Sequence, residues 1–184
     1  MNDTLKTIAE RYSCRAYDGR AVEQEKLEAV TLAAVQAPSA MNRQPWEIVV
    51  ITDKAFIDEM DAVAMTELAA REDKTFYERI KQRGGKIFYN APCMIVVVKK
   101  KTANFDTFDC GIATQNIALA AHSLGLANVI CAMAGIPLNG PRGAEFKERI
   151  GIAGDDEFGM AVLLGYTDSP GKPHEPDLSK IRFI

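Results

Sequence analysis

Histidine is scarce in this chain, with only His122 and His174, and its four cysteines, Cys14, Cys93, Cys110 and Cys131, are too far apart to form a C-x-x-C pair. Such spacing supports neither a zinc site nor a disulfide framework, and the thiols read as reduced and mostly buried. No apolar run approaches the roughly 20 residues that cross a bilayer. The start, Met1-Asn2-Asp3-Thr4, lacks the basic and then apolar character of a signal peptide, so the expected location is cytoplasmic. Basic residues give no surplus either. Against 25 Asp and Glu stand 22 Lys and Arg, and a formal net charge of -3 argues against nucleic acid or an anionic membrane as the main partner. There is no G-x-S-x-G nucleophile elbow and no G-x-G-x-x-G dinucleotide fingerprint. Arg83-Gly84-Gly85-Lys86 lacks the first glycine and the following Ser or Thr of a P-loop.

What is present fits one domain, 1–184, because 184 residues can bury a real core but are too few for two comfortable ones. Asp3 or Thr4 can cap a first helix that carries Leu5, Ile8 and Ala9 and runs into Arg11. A second helix, over 23–36, puts Leu27, Val30 and Ala34 on one face, and Pro38 ends it. The runs 46–52 and 93–98 are almost continuously apolar and β-branched, which predicts buried central strands; 128–133 and 158–164 complete the set. Further helices are predicted over 54–70, over 107–124, where Gly125 supplies the stop, and over 142–150. The stretch 71–86 is charged and weakly periodic, and reads as an excursion over a pocket in preference to a solvated helix end. The tail, 166–184, contains Pro170, Pro173 and Pro176 and is therefore extended; at its end Leu178, Ile181 and Phe183 alternate with polar residues as in a strand.

Two short segments carry the chemistry. Arg11-Tyr12-Ser13-Cys14-Arg15 offers two guanidinium forks and a hydroxyl, donor geometry that matches phosphate oxygens. In the turn-rich run from Ala37 to Trp46, which includes Pro38, Ser39 and Ala40, the amides of Asn42 and Gln44 can donate to and accept from the edge of a planar heterocycle. Taken singly, each has a plainer reading. Cations at a helix end favour the macrodipole, Pro, Ser and Asn are ordinary turn residues, and Trp46 opening a strand suits packing. Together, a phosphate grip and a ring-reading loop describe a flavin mononucleotide.

With these residues in view the chain resembles the nitroreductase family of FMN-dependent oxidoreductases, whose members carry R-x-S-x-R-x-[FY] near the start and P-S-x-x-N-x-Q-P-W after the next helix. The resemblance runs from Arg11 to the tail. It implies an α+β fold with a central, mostly antiparallel sheet flanked by helices, and a homodimer sharing two FMN sites. It further implies that the tail, 166–184, swaps onto the partner subunit as an edge strand. NAD(P)H would act as a transient reductant on the flavin, followed in ping-pong fashion by a nitroaromatic, quinone or similar acceptor. Backbone groups in a strand-end turn at Met133, Ala134 and Gly135 would serve the flavin ring, where larger members have a P-I-E-G-type sequence and this chain reads Ala132-Met133-Ala134-Gly135. Family members commonly close over the phosphate with a K-x-R pair; Lys172 fills its first position and His174 replaces the arginine. Arg15, or else Lys86, would face flavin N1 and O2. No side chain is expected as an obligatory acid or base. The alternatives are a non-catalytic flavin storage or sensing module, and specialised flavin chemistry such as dehalogenation, dehydrogenation or flavin cleavage.

Overall fold

The run Cys93-Met94-Ile95-Val96-Val97-Val98 has no face it could show to water, and the computed structural model, which describes all 184 residues, sets it inside a four-stranded sheet. With β1 as Trp46–Ile51, β2 as Cys93–Lys99, β3 as Ala127–Ile130 and β4 as Glu157–Gly165, the order is β1-β2-β4-β3 and every pairing is antiparallel. Trp46 stands opposite Lys99, Cys93 opposite Leu164 and Ala127 opposite Gly165. Period-2 alternation then sorts β2 into two cores. Met94, Val96 and Val98 join Met60, Phe146 and Leu163 on one face, while Cys93, Ile95 and Val97 join Leu27, Val30 and Ile117 on the other. The first face is covered by α3 (Lys54–Ala70) and α7 (Gly143–Arg149), the second by α2 (Gln24–Val35) and α5 (Asp106–Ser123). No helix is long and apolar enough to cross a membrane.

The two sheet edges differ. Beyond α1 (Asp3–Glu10), the N-terminal segment runs beside β3, with Ser13 bridging Asn128 in parallel and the Cys14 N–H donating to the Asn128 carbonyl at 2.9 Å. Tyr17, buried, donates its hydroxyl to the Leu163 carbonyl at 3.1 Å and ties the same segment to β4. Nothing covers the outer edge of β1 in the same way. Nor is the apolar face of α1 buried: Leu5 and Ile8 are exposed, as are Phe105, Phe108 and Ile112 along α5.

Five expectations need correction. The run 46–52 is not a central strand buried on both faces: β1 lies at a sheet edge, and only Trp46 and Ile51 of its six residues are buried. Within 71–86 the chain forms α4 (Thr75–Gln82), held to the core by Ile80, where the sequence reading favoured an excursion. β3 stops at Ile130 and does not continue to 133, because Ala132–Ala134 winds into a 3-10 turn that leads into α6 (Gly135–Asn139), a helix the sequence reading missed. Gly135 therefore has a helical φ of -68° and is not a turn glycine. The tail end forms no strand in the single chain; Leu178–Lys180 is a 3-10 turn, and Leu178, Ile181 and Phe183 are all exposed.

A buried carboxylate fixes the turn before β2. Asp61, 3 % exposed, accepts the N–H of Ile87 at 3.1 Å and of Phe88 at 3.0 Å, and burial pushes its carboxyl up despite those two bonds. Asp61→Ala would leave both amides buried without an acceptor. The expected cost is about 2–4 kcal/mol, read as a lower midpoint in thermal or urea unfolding.

Candidate functional site

Arg11 caps α1, donating its N–H to the Thr7 carbonyl at 3.1 Å, and the anchoring of Ser13 and Cys14 on β3 fixes where the chain goes next. This brings Arg11, Tyr12, Ser13 and Arg15 to one wall of a cavity of about 200 Å³, whose other wall is Lys172 and His174 from the tail. Thus the clamp and tail residues singled out in the sequence meet. No carboxylate lines the cavity, and one guanidinium nitrogen of Arg11, Nη1, is buried without any hydrogen-bond partner. Arg15 donates from its Nη1 to the Ser13 carbonyl at 3.3 Å and also interacts with the Tyr89 hydroxyl, and no carboxylate pairs with it. A buried donor left unpaired is costly, and uncompensated cations call for an anion. Two forks, a hydroxyl and an ammonium suit the oxygens of a phosphate dianion, so the residues present fit a phosphate-bearing cofactor.

The polar loop is shaped by its own bonds. Its Ala40 N–H donates to the buried Asp109 carboxylate at 3.1 Å, the Gln44 N–H donates to Ser39 Oγ at 2.9 Å, and Gln44 Nε2 donates to Asn42 Oδ1 at 3.2 Å. Met41, Asn42 and Gln44 all hold left-handed φ, at 54°, 54° and 49°. For Gln44 this departs from the extended shape favoured before a proline. Non-glycine residues in that region carry strain, which persists only where surrounding structure fixes it.

The loop and the clamp do not meet within one chain. Asp109 holds the loop at one end of α5, whereas Tyr12 stands edge-on to His122 at the other, with ring centroids 6.4 Å apart. From residue 109 to residue 122 the helical rise amounts to about 20 Å. His122 is thereby a packing partner of Tyr12.

At the strand end, the Ala134 N–H donates to the Cys131 carbonyl at 3.3 Å and the Gly135 N–H turns back to the carbonyls of Ala132 and Met133. Those two amides serve the turn itself. Gly135 is instead a packing position, where a Cβ would come within 3.1 Å of the Phe158 ring. Burial pushes the neighbouring Cys131 thiol up to about 11, and all four cysteines are buried and unbridged.

Lys86 is turned elsewhere: its Nζ donates to Asp58 at 2.9 Å, and Asp58 also pairs with Lys54. Sequence reasoning missed Tyr89. Its ring packs against the first core; burial pushes its phenol up, Cys131 adds to the rise, and the guanidinium groups of Arg15 and Arg83 oppose it. Tyr89 and Asn90 are both left-handed, at φ 54° and 63°, on the turn that Asp61 anchors. No local motif marks a tyrosine whose position depends on a carboxylate in another helix.

Helices on both faces of an antiparallel sheet, with a cation-lined cavity beside one sheet edge, define an anion-binding α+β protein. The model of the nitroreductase family matches residues 8–166. A relative from Archaeoglobus fulgidus, provisionally named an NADH dehydrogenase/NAD(P)H nitroreductase, is 32% identical over 96% of this chain and 92% of its own length. The crystal structure of a nitroreductase with bound FMN from Desulfitobacterium hafniense superimposes with a TM-score of 0.96 at 47% identity, covering 100% of this chain and 99% of that one. An iodotyrosine deiodinase from Thermotoga neapolitana is 25% identical over 78% of this chain and 76% of its own. This chain belongs to the nitroreductase family.

Proposed function

We propose that the chain, acting as one flavin-binding domain over residues 1–184, is an FMN-dependent oxidoreductase that takes electrons from NAD(P)H and passes them to a nitroaromatic, quinone or similar acceptor. The observation that carries this reading is the cavity with four basic side chains, no carboxylate and an unpaired Arg11 Nη1. The FMN-bound structure from Desulfitobacterium hafniense supports it. Bound flavin would supply the electron transfer, alternating between donor and acceptor in ping-pong order.

The protein's part is grip and placement. Arg11 and Arg15 would hold the phosphate by their forks, Ser13 would add a hydroxyl, and Lys172 with His174 would close the far side. Asn42 and Gln44 would read the polar edge of the ring. Because the loop stands at the opposite end of α5 from the clamp of its own chain, it would serve the clamp of a second copy. A homodimer also covers the exposed Leu5, Ile8, Phe105, Phe108 and Ile112, and the open β1 edge offers a place for the partner's tail.

The test is an absorbance spectrum of the purified protein, followed by anaerobic titration with NADH and then NADPH. A flavin band that bleaches with a nicotinamide and returns on adding menadione is the expected result. A colourless protein that cannot be reconstituted with FMN would overturn the reading. The deiodinase relative favours reductive dehalogenation as a second reading. Iodide release from an iodophenol by the reduced protein, with no response to menadione, would select it, and reduction without any turnover would select a storage role.

A further inference from the structure

The tail returns to the clamp through a contact with no room for a side chain. A Cβ on Gly171 would lie 2.6 Å from Cδ2 and 3.0 Å from Cε2 of the Tyr12 ring, far inside ordinary carbon contact distance. Its φ lies outside the left-handed region, so glycine is required here for space and not for backbone freedom. The ring is braced against His122, which it meets at an interplanar angle of 82°. The strap itself is stiff, since Pro170 and Pro173 fix φ on either side of Gly171-Lys172. It also starts from a fixed point, where the Asp18 N–H donates to the Tyr166 carbonyl at 3.0 Å. A side chain at 171 would push the strap and the Tyr12 ring apart; with the ring braced on His122, the exposed strap gives way, and Lys172 and His174 move out of the cavity wall with it.

We propose that Gly171 is the positioning residue of the phosphate clamp. By lying flat on Tyr12 it seats Lys172 and His174 opposite Arg11 and Arg15, and so decides that the site takes a flavin bearing a phosphate monoester in preference to the dephosphorylated flavin. The inference rests on the FMN reading above. It assigns the discrimination to a residue with no charge and no hydrogen-bonding side chain. The proposed ring-binding groups, Asn42 and Gln44, lie on a separate loop, so a displacement confined to residues 171–174 does not touch them.

Equilibrium dialysis of the full-length protein against FMN and against riboflavin tests this. Gly171→Ala is expected to weaken FMN binding about tenfold and to change riboflavin binding less than about twofold. Inorganic phosphate should compete with FMN for the wild type and compete less well for the variant. In a Tyr12→Ala background, where the ring is gone, Gly171→Ala should have no further effect. A Gly171→Ala protein that keeps the wild-type preference for FMN, or loses both flavins equally, overturns the inference. So does a penalty that persists without the Tyr12 ring. A wild type that binds neither flavin would sink the flavin reading and this inference together, which separates the two failures.

Discussion

Replacing Arg11 and Arg15 together by alanine yields a protein that folds as before and purifies without colour. Neither residue belongs to either core, Arg11 Nη1 has no partner to lose, and Arg15 gives up a 3.3 Å bond to the Ser13 carbonyl and its interaction with Tyr89. Surface changes of that kind move stability little. Binding is different, because each charge-assisted bond to a dianion is worth about 1.5–3 kcal/mol, and losing both guanidinium groups weakens FMN by about a hundredfold or more. The ratio of flavin to protein absorbance, read beside circular dichroism, measures both halves of this expectation. Lysine at both positions keeps the charge without the fork, and should recover only part of the affinity. An alanine variant as yellow as the wild type would remove the clamp from the argument.

If the tails are exchanged as proposed, ending the chain after Glu175 is expected to break the proposed dimer while sparing the cavity. That truncation keeps Lys172 and His174 but removes Leu178, Ile181 and Phe183, which are 70%, 59% and 94% exposed and have nothing to pack against in their own chain. Burying side chains of this size is worth about 1.5–3 kcal/mol each before the ordering of the strap is subtracted, so the dimer dissociation constant should rise by about a hundredfold or more. Size-exclusion chromatography with light scattering should then show monomers or aggregates. An intact dimer would refute the exchanged tail.

The strands were legible because their apolar runs are unbroken. β2 was expected over 93–98 and spans Cys93–Lys99, and α3 falls on its expected limits, Lys54–Ala70. Such runs bury on both faces whatever the rest of the chain does. By contrast, α4 is anchored by Ile80 with the half-buried Tyr77 beside it, and two apolar contacts in eight residues leave little periodicity to read. The small residues Ala132, Ala134 and Gly135 suit a turn as well as a helix, and the packing of Phe158 on Gly135 favours the helix. That Arg11, Ser13 and Arg15 share one cavity wall could be expected from the sequence, because they lie within five residues of one another. Asp61 and Tyr89 could not, since their roles depend on a buried contact between separate elements. The tail's alternating pattern forms no strand in the single chain: Leu178–Lys180 is a 3-10 turn, and Leu178, Ile181 and Phe183 stay exposed.

Met41, Asn42 and Gln44 hold a backbone shape that glycine would adopt without cost. For folding alone, glycine at 41 or 44 would be the better residue, and the chain would gain stability by it. The amide of Gln44 would vanish with the strain. Here the protein sits below its own attainable stability, and its best route to greater heat resistance runs straight through the loop it can least spare.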